Sequence, residues 1–233
     1  MQKIREKMEE RTREIQAYVR LLKHIETRLG PHTKRKKRVG DLPAGESFTS
    51  MKAASFLMLY NLVESTVKGA VAEIYEEIKR KRCTVYDVSQ CLQGQWVDQQ
   101  FWIAPHEATP TTYRKRTAQI LQDAMDKKPL SLAPEKLNIG GNIDADAVRK
   151  ICRDHGVTLQ VYKRAKGGTE LDTVKDQRNA LAHGTISFVE CGRNYTVSDM
   201  KRISAECLNF TKGFVRSVDR FIKNGGYRKS SDS

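Results

Sequence analysis

Residues 3–29 contain no Pro or Gly and place Ile4, Met8, Ile15, Val19, Leu22, Ile25 and Leu29 three, four or seven positions apart. That is the period of an amphipathic helix, so one long helix is expected, ending at Gly30-Pro31. "HTKRKKRVGDLPAGES" (32–47) reads as a basic, turn-rich loop. From near Ser50 to about Arg82 the chain again lacks proline and is apolar around much of a helical circumference, which predicts a core helix. On it Asn61, Glu64 and Lys68 stand at i, i+3 and i+7 and share one face, either a solvated stripe or a buried Glu paired with a cation.

The pattern weakens between Cys83 and Pro134, where "QWVDQQFWIAP" is irregular; a helix around 113–126 is expected there, with loops elsewhere. "GGNIDADAVRKICRDHG" (140–156) predicts a short helix with acids in its first turn, so Asp144 and Asp146 read as helix-start residues rather than a catalytic carboxylate pair. Residues 169–183 form the next expected helix, stopped by Gly184, and "TISFVECGRNYTVSD" (185–199) reads as a connection with some strand character. It contains a capping signature at Thr196–Asp199. The last helix carries a stripe of Ile203, Cys207, Phe210, Phe214, Val218 and Phe221 or Ile222, closed by Gly225-Gly226. The expected fold is all-α: a helical bundle with a long N-terminal helix and irregular loop insertions. It divides into an N-terminal helix and basic loop (1–44) packing on the core, a helical domain (45–226) and a flexible tail (227–233).

Composition narrows the function. The 233 residues are 39% hydrophobic and 30% charged, which suits one globular domain, and the net charge of +14 favours a polyanionic partner. The longest apolar run, "FLMLYNLV" (56–63), falls well short of the roughly 18–20 residues of a membrane span, so the expected partner is nucleic acid and not a membrane. Cys83, Cys91, Cys152, Cys191 and Cys207 show no CxxC spacing and no nearby His pair, so neither a metal site nor a disulfide framework is expected, and no cofactor. The charged start "MQKIREKMEER" lacks the apolar centre of a signal peptide, which makes the cytoplasm the default location. No glycine-rich phosphate loop, HExxH or GxSxG is present.

Candidate chemistry concentrates in "DQRNALAHG" (176–184). At about 100° per residue Asn179 and His183 share a face, while Arg178 falls on the apolar stripe of Leu171, Val174 and Leu181. A guanidinium pointing at a packed surface needs a carboxylate, a phosphate or another subunit, and Glu64 is the best internal candidate.

Arg178-Asn179-x3-His183 resembles the R-x4-6-H motif of the HEPN superfamily, helical ribonucleases and nucleotide-binding proteins. The surrounding blocks are similar to its MAE-type HEPN-like nucleases: "SFLMLYNLVESTVKGAVAEIYEEI" (55–78), "GGNIDADAVRKICRDHG" (140–156), "VKDQRNALAHGTISFVECGRNYT" (174–196) and the last helix. The resemblance implies a helical bundle that pairs two-fold, bringing two motifs to one cleft where RNA is cut without metal, in prokaryotic toxins or effectors of phage defence. It makes Arg178, Asn179 and His183 the catalytic set, with Asn61 and Glu64 supporting. A Tyr stands two residues after the His in HEPN toxins paired with a minimal nucleotidyltransferase; here that position is Thr185.

The residue types suit that chemistry in their own right. RNA carries its own nucleophile, the 2′-OH, so cleavage needs a base, a proton donor for the leaving 5′-oxygen and cations for the developing charge. His supplies the first two roles and Arg the third, with Asn179 to hydrogen-bond a phosphate oxygen or fix the His tautomer. A homodimer would provide the second imidazole. Lys34, Arg35, Lys36, Lys37 and Arg38 are candidate RNA contacts, and an antitoxin or defence-system protein is a candidate partner. The alternatives are a catalytically inactive HEPN module that binds RNA or nucleotide as a partner subunit, and a structural helical subunit whose charge serves solubility.

Overall fold

The computed structural model describes residues 1–29, 38–39, 42–102, 108–137 and 141–229. The described residues form an all-α bundle: α1 (Gln2–Leu29), α2 (Ala44–Arg80), α3 (Gln90–Gln100), α4 (Pro110–Met125), α5 (Ala145–Asp154), α6 (Thr169–Ala182), α7 (Phe188–Arg193) and α8 (Val197–Lys223). A two-residue antiparallel pair, Arg38–Val39 with Leu42–Pro43, precedes α2. Short 3-10 turns stand at Pro134–Lys136 and Lys163–Gly168.

α2 is the central element and packs against α1, α6, α7 and α8. Its near-continuous apolar circumference explains this, since Phe56, Leu59, Tyr60, Leu62 and Ile74 are all fully buried. On α1 only a narrow stripe is covered, with Met8, Ile15 and Leu22 buried. Phe210 and Phe214 of α8 close the core from the other side.

α2 starts six residues before the expected Ser50. The extension is fixed by α7, because Gly192 lies so near the first turns of α2 that a Cβ there would meet the Thr49 carbonyl oxygen at 1.9 Å. α7 itself replaces the expected strand-like connection. Ser187 and Glu190 form a full capping box, with the Ser187 Oγ accepting from the Glu190 amide at 3.1 Å and the Glu190 carboxylate accepting from the Ser187 amide. Local capping outweighs the β-leaning Phe188-Val189 pair. α3 was also unexpected; its apolar positions are few, but Leu92 and Trp96 fall four apart and both are buried.

The expected tail from 227 is corrected at its beginning. Tyr227 is buried, its carbonyl accepts from the Ser89 amide at 2.9 Å, and the Lys229 amide donates to the Asp87 carbonyl. Residues 227–229 therefore seal the region between α2 and α3. No helix among the described residues is long and apolar enough to cross a membrane.

Candidate functional site

α6 carries the Arg178–His183 stretch, and its sequence sets the direction of each side chain. Leu171, Val174 and Leu181 are buried, which fixes the rotation of the helix and leaves Arg178 and Asn179 half-buried at its margin. The helix ends in a Schellman motif: the Thr185 amide donates to the Ala180 carbonyl at 2.9 Å and the Gly184 amide to the Leu181 carbonyl at 3.3 Å, with Gly184 at φ +68°. His183 is the C-cap residue and its imidazole is exposed.

Arg178 is held from two sides. Its guanidinium carbon stands 4.5 Å from the centroid of the Tyr60 ring, a cation–π contact, and Nη1 donates to Asn179 Oδ1 at 2.9 Å. Asn179 Nδ2 donates in turn to Asn142 Oδ1 at 2.8 Å, in the turn just before α5. The same turn is tied to α2, because the Ile143 amide donates to Tyr60 Oη at 3.2 Å. Asp144 N-caps α5 by accepting from the Ala147 amide, and its other oxygen meets Lys175 Nζ of α6 at 3.0 Å. α2, α5 and α6 thus converge on one point. Asp144 is a helix-start residue as expected, with the added duty of fastening α5 to α6.

The expected Glu64–Arg178 ion pair is corrected. Glu64 meets Lys68 Nζ at 2.7 Å on the outer face of α2, and among the described residues Arg178 has no carboxylate partner. Asn61 is exposed, and its backbone carbonyl accepts from Arg11 of α1. Tyr60 and Glu64 stand four apart on one side of α2: the Tyr60 ring is buried and points inward, whereas Glu64 is half-buried and turns to Lys68, and Asn61 and Lys68 are exposed. An aromatic face, not a carboxylate, receives the guanidinium, and among the described residues no carboxylate forms an ion pair with it. Burial raises the pKa of the Tyr60 phenol, the Ile143 amide hydrogen bond lowers it, Glu64 raises it and Arg178 lowers it, with a net rise. Lys34, Arg35, Lys36 and Lys37 of the expected basic loop lie outside the described residues, as does the side chain of Arg38.

A cleft of about 730 Å³ opens on the other side of Asn142, between α3, the Pro134–Lys136 turn and α5. At its floor is a residue that the sequence reading passed over. His155 is 2% exposed, with Nδ1 donating to the Ile151 carbonyl at 2.7 Å and Nε2 2.8 Å from Tyr75 Oη. A carbonyl can only accept, so Nδ1 carries the proton and Nε2 accepts from the phenol. Burial pushes the His155 pKa down and keeps the ring neutral. Its position at the C-cap of α5, within "CRDHG", was the available signal. Among the described residues no three His, Cys, Asp or Glu side chains gather as a metal-binding group.

The family model described as HEPN_MAE_28990-like HEPN matches residues 1–227. The chain belongs to this HEPN family. No curated protein and no solved structure matches it. Membership covers α1 as well as the bundle, so in this HEPN chain the N-terminal helix is part of the family unit.

Proposed function

We propose that this HEPN protein is a metal-independent endoribonuclease in which Arg178 and His183 carry the chemistry. The observation behind the reading is the state of Arg178: a guanidinium steered by Tyr60 and Asn179, without a carboxylate partner among the described residues, at the end of a helix that also presents an exposed imidazole. Such a cation is prepared for a phosphate. A buried salt bridge to Glu64 would have spent that charge internally, as the inactive-module reading requires.

In the proposed reaction one His183 takes the 2′-OH proton as the oxygen attacks the adjacent phosphorus. Arg178 stabilises the charge that gathers on the non-bridging oxygens, and a second imidazole protonates the departing 5′-oxygen. The products are a 2′,3′-cyclic phosphate and a 5′-OH. One chain offers one His at the motif, so the second comes from a two-fold partner whose α6 faces the first. Exposure of His183 supports this arrangement, because an imidazole that serves across an interface has to reach the surface. Family membership supports an RNA- or nucleotide-directed role, and a toxin or defence setting with a cognate controlling protein is part of the same proposal.

The direct test is cleavage of a labelled RNA by the wild type beside Arg178→Ala and His183→Ala. Each should lose about 10²-fold or more, the usual weight of general acid–base and electrostatic contributions. A folded His183→Ala chain that cuts as fast as wild type would defeat the assignment.

A further inference from the structure

Beside Asn142 the 730 Å³ cleft shares a hydrogen-bond chain with the motif: Asn142 lines it and also accepts from Asn179, which holds Arg178. Its volume lies in the ordinary range of ligand sites, about 300–1,000 Å³. Trp102 stands on its wall and is 52% exposed, an unusual position for the largest apolar side chain. Phe101 lies beside it.

The charges of the cleft decide which part of a nucleic acid fits. Lys136 Nζ donates to the Gln99 carbonyl at 2.9 Å and Lys150 Nζ meets Asp154 at 2.6 Å, so both ammonium groups are engaged within the protein. Asp98 adds an exposed carboxylate. Two lysines and two aspartates on this wall leave it without a net positive charge to draw a phosphate. Its aromatic rim and amide and carboxylate acceptors suit an uncharged heteroaromatic ring with N–H groups on its edge.

We propose that the cleft is a nucleobase subsite, in which Trp102 stacks one unpaired base of a single-stranded RNA while the neighbouring phosphate lies at Arg178. The inference rests on the ribonuclease reading for its choice of ligand, and it adds a requirement: the bound segment is single-stranded, because a base within a duplex has no free face to offer.

Fluorescence titration of the full-length His183→Ala chain with a single-stranded oligoribonucleotide, and with a duplex of the same length, tests this without reading cleavage. Of the two tryptophans Trp96 is 6% exposed and Trp102 52%, so Trp102 should dominate any quenching. The single strand should quench and the duplex should not. Adding Trp102→Ala should weaken single-strand binding about 5- to 150-fold, the weight of one base–aromatic stack. Trp102→Phe should keep most of the affinity and abolish the quench. Unchanged affinity in Trp102→Ala, equal quenching by duplex and single strand, or no binding of single-stranded RNA would overturn the subsite. Wild-type cleavage without a Trp102 effect would defeat the subsite alone; binding and quenching without wild-type cleavage would defeat the nuclease reading alone.

Discussion

Arg178 illustrates how a single side chain is specified by its surroundings. Its position on the apolar stripe of α6 was readable from spacing, and so was the need for a partner; the partner was not. Tyr60 and Glu64 stand four apart on one side of α2, and the spacing alone does not say which of them reaches Arg178; the Tyr60 ring does, while Glu64 pairs with Lys68. The consequence is measurable. Glu64→Ala should barely move the thermal midpoint, since a partly exposed i,i+4 pair contributes about 0.3–0.5 kcal/mol, whereas a melt lowered by several degrees would restore Glu64 to the site. Tyr60→Phe keeps the ring under Arg178 but leaves the Ile143 amide without its acceptor, at about 1–3 kcal/mol of stability. Tyr60→Leu also removes the cation–π contact, so RNA cleavage should fall by a further factor of about 3 to 30 at equal folded fraction. Steady-state cleavage rates of the two variants, compared at a temperature where both are folded, check the difference.

Among the elements, α1 and α8 were legible from a sustained 3.6-residue period, α2 from its long proline-free apolar run, and α4, α5 and α6 from shorter patterns and their end signals; α3 and α7 were not. α7 spans six residues, too few for periodicity, and the clue lay in its Ser187–Glu190 cap. The end of α6 was legible from Gly184 alone, and its Schellman geometry makes a prediction. Gly184→Ala places a Cβ at φ +68° and should lower stability by about 1 kcal/mol through left-handed strain, with cleavage reduced because His183 is the C-cap of the same turn. Thermal melts and cleavage rates report the two effects separately. α5 offers a pH test. The folded protein binds the His155 proton more weakly than the unfolded chain does, so the neutral ring stabilises the fold above the ordinary histidine pKa of about 6.5. That contribution is lost as the pH falls below it. The melting temperature should drop between pH 7 and pH 5, and less so in His155→Gln; equal drops in the two proteins would show that His155 does not carry the effect.

For the whole molecule the all-α class and the net charge of +14 were legible from periodicity and composition. Neither could reveal that Asn142, before α5, and Tyr60, on α2, meet at Arg178, because three-body packing leaves no periodic trace. The proposed working unit is a two-fold dimer, so mixing Arg178→Ala chains with His183→Ala chains should recover part of the activity that each lacks alone, while no recovery in a demonstrated heterodimer would remove the shared cleft. RNA affinity should fall steeply with salt as counterions are released. The central claim is cleavage by 2′-OH attack through Arg178 and His183, and the chemical ends of the RNA fragments produced in EDTA test it most directly. The account predicts 2′,3′-cyclic phosphate and 5′-OH ends from the wild type and intact RNA from His183→Ala; intact RNA from the wild type, or 3′-OH and 5′-phosphate ends, would contradict it.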